Sequence, residues 1–166
     1  IDSIPEEARL LGYGVDFGYT NDPTSIIEVY TYNGQRIANE ICYAKGLSNS
    51  QIAKYITTKL PAYCDSAEPK SIDELRLYGI NAKAVTKGKD SINYGIQLMQ
   101  GQNYLITKSS TNLISELRKY AWDKDKRTGV TLNHPIDNFN HAIDAFRYHE
   151  METLAYGEIK PDLRFG

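Results

Sequence analysis

Three aspartates in this 166-residue chain, Asp16, Asp65 and Asp144, sit where an acid could do chemistry. Asp16 closes an apolar run over residues 10–17, Asp65 directly follows Ala62-Tyr63-Cys64, and Asp144 is set among Ala142, Ile143, Ala145 and Phe146. Carboxylates drawn from separate parts of a chain can hold hard divalent cations. Two such ions, close together and open to water and phosphate oxygens, are what metal-assisted phosphodiester hydrolysis requires. One aspartate after a strand has a plainer use as a turn former or helix cap, so none of the three carries this reading alone. Their order carries more. One acid ends the first strand, one ends the first strand after a helix, and one lies on the polar face of the last helix.

The elements that position them follow from patterning. Residues 10–17 and 25–32 read as strands, and Asn33-Gly34 supplies a two-residue turn in which both residues take positive φ, returning the chain as a strand over 35–43. Ser48-Asn49-Ser50-Gln51 has the pattern of a capping box ahead of a helix to about residue 59, which Pro61 ends. A short strand at 62–64 leads to a loop over 66–69 and a helix closed by Gly79. Strands at 81–85 and 103–107 then alternate with helices at 89–100 and 110–119. Alternation of this kind implies parallel pairing. The predicted fold is α/β, with a central mixed sheet of three antiparallel strands followed by parallel ones, flanked by helices. If the first and fourth strands are neighbours, Asp16 and Asp65 lie side by side at the carboxyl ends of strands, where sites gather in open α/β sheets.

Residues 120–123 and 130–133, with the charged stretch 124–129 between them, read as a projecting β-hairpin near 120–133. The last helix is expected from about 138 to 156. Phe139, Ala142, Ile143 and Phe146 form its packing stripe, and Asp137, His141, Asp144 and Tyr148 recur at the same spacing on the other face. The expected organisation is a lead-in over 1–8, one domain over 9–157 and a tail over 158–166. The chain opens with Ile rather than Met, so it is expected to be a piece of a longer protein.

Composition sets limits. With 41% hydrophobic and 24% charged residues the chain reads as a single domain with a sizeable core. No apolar run approaches the ~20 residues of a membrane span, so no membrane partner is expected. Cys42 and Cys64 fall inside apolar runs and read as small buried thiols. The net charge of −2 is not that of a generic nucleic-acid binder, but bases cluster locally at Arg118, Lys119, Lys124, Lys126 and Arg127.

Three segments together resemble a known family: Val15-Asp16-Phe17-Gly18-Tyr19-Thr20-Asn21-Asp22-Pro23-Thr24, Cys64-Asp65-Ser66-Ala67-Glu68-Pro69-Lys70-Ser71-Ile72, and Asn140-His141-Ala142-Ile143-Asp144-Ala145-Phe146-Arg147-Tyr148. They are similar to the three nuclease motifs of the large terminase subunits of tailed bacteriophages. The resemblance implies an RNase H-like nuclease that cuts concatemeric double-stranded DNA during genome packaging, using two divalent metal ions, Mg²⁺ or Mn²⁺, held by Asp16, Asp65 and Asp144. Secondary roles fall to His141, one helical turn before Asp144, and to Glu68, which would reach a metal or cap the helix beginning near Pro69. Lys124, Lys126 and Arg127 become candidates for contact with the DNA backbone.

The family also implies an ATPase motor domain upstream in the same chain, a portal protein and a small terminase subunit as partners, and action in the host bacterial cytoplasm at the procapsid. No P-loop pattern occurs here, and Lys87-Gly88-Lys89-Asp90 does not supply one. Four other readings compete. Asp16-Phe17-Gly18 matches a kinase triplet, but only 15 residues precede it, too few for the other kinase motifs. An actin-like or sugar-kinase ATPase half would need a second lobe. A resolvase or integrase shares the carboxylate logic, and a nuclease-inactive docking module for DNA or portal predicts no cleavage.

Overall fold

The computed structural model describes residues 1–85, 91–126 and 140–157, side chains at 91–93, 121–126 and 155–157 excepted. In chain order the elements are β1 (Arg9–Asp16), β2 (Thr24–Tyr32), β3 (Gln35–Ala44), α1 (Asn49–Ala53), β4 (Ala62–Cys64), α2 (Pro69–Leu77), β5 (Ala82–Ala84), α3 (Ser91–Gln100), β6 (Tyr104–Ile106), α4 (Thr111–Lys126) and α5 (His141–Gly157). The strands form one six-stranded sheet in the order β5-β4-β1-β2-β3-β6. β1, β2 and β3 are an antiparallel meander, and β4, β5 and β6 join in parallel, as the sequence pattern predicts. Asn33 and Gly34, at φ 49° and 76°, make the turn between β2 and β3.

Strand alternation sends side chains to two layers. Tyr13, Val15, Ile26, Ala62 and Cys64 pack with Ile52, Ile72 and Leu75 of α1 and α2. Ile27, Val29 and Ala38 pack on the opposite face with Leu113 of α4 and with Ala142, Ile143, Ala145 and Phe146 of α5. Both cysteines are buried and free.

Two predicted elements differ. The first helix spans only Asn49–Ala53, although its Ser48–Gln51 capping box forms as the sequence suggests. Beyond it Ile56, Thr57 and Thr58 are a β-branched run, poor for helix. The Thr58 hydroxyl also accepts from the Leu60 N–H and pairs with the Tyr13 hydroxyl, giving the backbone a non-helical alternative. The second difference corrects the predicted hairpin near 120–133: residues 120–126 are helical, because α4 continues to Lys126. Leu113, Leu117 and Tyr120 recur at helical spacing and pack on the α5 layer, so the apolar stripe carries the helix past 119. The second predicted strand of that hairpin and Arg127 lie outside the described residues, as does the expected start of the last helix at 138. The described helix begins at His141.

Candidate metal centre

β1 and β4 run parallel in the register Tyr13↔Ala62, Gly14↔Tyr63 and Val15↔Cys64. The next pair in that register is Asp16 and Asp65, so the first two acids stand side by side at one edge of the sheet. Alternation fixes their direction as well. Tyr13 and Val15 enter the α1/α2 layer, so Gly12, Gly14 and Asp16 face α5. On β4, Ala62 and Cys64 enter the α1/α2 layer, and the Tyr63 ring meets His149 of α5 at 5.6 Å, placing Asp65 on the α5 side too.

Gly14 is what lets the third acid in. A Cβ there would overlap the Ala145 carbonyl oxygen and stand 2.6 Å from its carbon, so α5 lies directly on the β1 backbone. That approach brings Asp144, one residue earlier, to the strand end. Its backbone N–H donates to the Asn140 carbonyl at 2.8 Å, in the first turn of α5. Glu116 of α4 fastens that turn: its buried carboxylate accepts from the Ile143 N–H at 3.0 Å and from the Tyr43 hydroxyl at 2.7 Å. An acid at a helix N-terminus satisfies donors that have no partner within the helix.

His141 joins the acids. Its Nδ1 lies 3.3 Å from Asp16 Oδ2 and its Nε2 lies 3.5 Å from Asp22 Oδ1. Burial pushes the Asp16 carboxyl up to about 6; the hydrogen bond from His141 opposes that rise, and the charges of Asp144 and Asp65 add to it. Asp144 is also raised, by burial first, against the pull of Arg147. The His141 imidazole is raised, with the Asp16 hydrogen bond the largest cause. Burial and the charges of all three acids raise the buried Tyr148 phenol. The three aspartates are therefore near enough to repel one another. They form a carboxylate cluster whose members repel one another, which fits the chemistry of a divalent cation.

The cluster is not closed as it stands. Among the described residues no three His, Cys, Asp or Glu side chains converge tightly enough to hold one ion. Asp65 Oδ1 accepts from the Ala67 N–H at 2.9 Å, and Asp144 Oδ1 is held by Arg147 at 3.0 Å. Glu68 occupies the N-cap position of α2 but makes no side-chain capping bond. Its exposed side chain instead lines a pocket of about 270 Å³ with Phe17, Gly18, Tyr19, Ser48, Asn49 and Ser71. Lys124 and Lys126 lie on the helical backbone of α4, with their side chains outside the described set, as is Arg127.

Sequence reasoning missed Glu116 and Arg147. Arg147 was legible as an i,i+3 partner of Asp144. Glu116 carries no such signal, since a glutamate inside a helix is ordinarily solvated.

A mixed six-stranded sheet with an acid at the ends of two parallel neighbours and a third on the covering helix defines an RNase H-like domain. Residues 16–149 match the family model of the terminase RNase H-like domain, and the chain belongs to that family. The nuclease domain of the large terminase of bacteriophage SPP1, solved with bound Mn, superposes with a TM-score of 0.70 at 28% identity, over 87% of this chain and 85% of that one. The large terminase of the thermophilic bacteriophage D6E gives 0.69 at 19% identity over 93% of this chain but only 41% of its own, and it has been solved with ATP-γ-S and with ADP. The P22 large terminase nuclease domain gives 0.63 at 14% identity, over 92% and 85%. No curated protein matches the chain by sequence.

Proposed function

We propose that this domain is the metal-dependent endonuclease of a viral DNA-packaging terminase, cleaving concatemeric double-stranded DNA. The observation that carries the reading is the meeting of Asp16, Asp65 and Asp144 from two parallel strand ends and a helix laid on glycine, close enough for their charges to raise the Asp16 carboxyl. These three would hold two divalent ions, Mg²⁺ or Mn²⁺, and the bound Mn of the SPP1 domain supports that choice. Such ions supply a polarised phosphodiester and an activated water.

The chain's own residues do the rest. His141 orients the Asp16 carboxylate and, with its imidazole between Asp16 and Asp22, is placed to accept or return a proton. Glu116 holds the first turn of α5, and so Asp144, in place. The pocket beside Glu68, with Phe17, Tyr19 and Leu47 as its apolar lining and Ser48, Asn49 and Ser71 as its uncharged polar groups, would bed the strand flanking the cut. Lys124, Lys126 and Arg127 would contact phosphates. The nucleotide-bound D6E structures support an ATPase motor outside the matched region. The portal protein and small terminase subunit are the proposed partners, and the procapsid in the host cytoplasm is the proposed place of action.

The test is duplex cleavage by the domain with Mg²⁺ or Mn²⁺. EDTA should abolish it, and Asn at 16, 65 or 144 should each lower it by several orders of magnitude, since one lost ligand disrupts the shared clamp. His141→Ala should cost about 10- to 100-fold. Cleavage at full rate in chelator, or by a folded Asp144→Asn protein, refutes the assignment.

A further inference from the structure

Tyr19 is an exposed ring on an anchored backbone. The residue is 65% exposed, yet its carbonyl accepts from the Gly46 N–H at 2.7 Å. One position earlier the Gly18 N–H donates to the buried Thr24 hydroxyl at 3.0 Å, and that hydroxyl donates to the Gly18 carbonyl at 3.3 Å. A Cβ on Gly18 would overlap the carbonyls of Asp22 and Pro23, so the loop after Asp16 closes tightly on itself. The ring lines the pocket of about 270 Å³, with Phe17 and Leu47 as further apolar surface and Ser48, Asn49 and Ser71 as uncharged polar groups. Glu68 is the one charged residue in that lining among the described residues. A phosphate there would meet a carboxylate and no cation. A nucleobase has what the lining matches, apolar faces and a hydrogen-bonding edge. Asn49 Nδ2 donates to Ser71 Oγ at 3.2 Å, which leaves the amide oxygen to accept from such an edge.

We propose that Tyr19 and this pocket are a nucleobase subsite, in which the phenol ring stacks on one base of the strand being cut. The inference rests on the metal-nuclease reading above and deepens it: the pocket takes a base rather than backbone. Tyr19 follows Asp16 by three residues, so the pocket adjoins the place where the metal centre would hold the scissile phosphate. The nucleotide carrying that phosphate has its base one sugar away. In a duplex both faces of that base are covered by its neighbours, so it must leave the stack to meet the ring. The domain should therefore cut fastest where the strand is locally unpaired. Every base has a π-face, and the pocket's few polar groups add little discrimination, so this preference for unpaired DNA carries no strong preference for sequence.

The test is Mn²⁺-dependent cleavage of three DNAs by the parent, Tyr19→Ala, Tyr19→Phe and Tyr19→Trp. The DNAs are a matched duplex, the same duplex with a short mismatched stretch, and that stretch with abasic sites in place of its bases. The parent should cut the mismatched DNA faster than the matched one and lose the advantage on the abasic one. Tyr19→Ala should lower kcat/KM on mismatched DNA by about 5- to 100-fold, the range a lost base–aromatic stack costs. On abasic DNA it should equal the parent, and its rise in Tm with Mn²⁺ should be unchanged, since no metal ligand is touched. Phe and Trp, which keep a ring, should stay near the parent on all three. An Ala variant that matches the parent on mismatched DNA, or that loses as much on abasic DNA, overturns the subsite. A parent that cuts none of the three with Mn²⁺ overturns the metal-nuclease reading, and the subsite with it.

Discussion

Removing the Asp16 charge should make the metal-free domain more stable, although a ligand is being destroyed. The folded carboxyl is raised from 3.8 to about 6, because burial and the charges of Asp144 and Asp65 outweigh the His141 hydrogen bond. A folded-state pKa above the unfolded one means that the native protein binds the extra proton. The associated stability is fully present below pH 3.8 and is lost as pH rises through about 6. The difference of about 2.2 units, at 1.36 kcal/mol each, is a penalty of roughly 3 kcal/mol in the ionised protein. Asp16→Asn should therefore be no more stable than the parent near pH 4 in EDTA and exceed it by up to roughly 3 kcal/mol at pH 8, a Tm rise on the order of 6–12 °C for a domain of this size. His141 has a raised pKa through Asp16, so its pairing also favours the parent at low pH and contributes least at pH 8, where the comparison is cleanest. Urea denaturation from pH 4 to pH 8 measures the difference. Parallel stability curves for parent and variant, or a variant less stable at pH 8, would refute the reasoning. Saturating Mn²⁺ should reverse the order, since the parent alone keeps the full ligand set.

Glu116→Ala leaves the Ile143 N–H and the Tyr43 hydroxyl without their shared acceptor, and should destabilise the domain by about 1–3 kcal/mol in urea titrations while lowering cleavage. Gly14→Ala drives a methyl into the Ala145 carbonyl and should cost about 3 kcal/mol, the upper end for overpacking, with Mn²⁺ affinity falling as α5 is displaced. Replacing Lys124, Lys126 and Arg127 with Ala should weaken binding to all DNA sequences alike and flatten its dependence on log salt by up to about three units, leaving Mn²⁺ affinity unchanged. An unaltered slope in DNA titrations would exclude those bases from the phosphate interface.

The meander, its Asn33-Gly34 turn and the neighbouring placement of Asp16 and Asp65 were legible because each rests on local chemistry plus one pairing choice. The elements misread were those where tertiary packing decides. Residues 120–123 read as a strand, but Tyr120 lies on the same helical stripe as Leu113 and Leu117, and packing on α5 extends α4 to Lys126. The helix after Ser48 carried the correct cap and stopped early, because Thr58 finds partners in Tyr13 and Leu60 that no periodicity announces. Glu116 was invisible for the same reason. Its function depends on Ile143 of α5 lying beside it, 27 positions later in the chain.

The glycines of β1 link fold and site. Gly12, Gly14 and Asp16 share one face of the strand, and the missing Cβ atoms at the first two remove the spacing a side chain would impose between sheet and helix. α5 therefore sits closest to the sheet just before the acid, and its first turn delivers His141 and Asp144 to the strand end together. The same closeness gathers a buried Asp16 and half-buried Asp65 and Asp144 in one place, an arrangement that folding alone disfavours. His141 and Arg147 each offset part of that charge, His141 through Asp16 and Arg147 through Asp144, and neither removes it: Asp16 stays raised to about 6 and Asp144 stays raised as well. Relief of that remaining repulsion by a divalent cation would stabilise the domain and complete its ligand set in the same step. Stability in EDTA and affinity for Mn²⁺ should therefore vary in opposite directions across substitutions at Asp16 and Asp144.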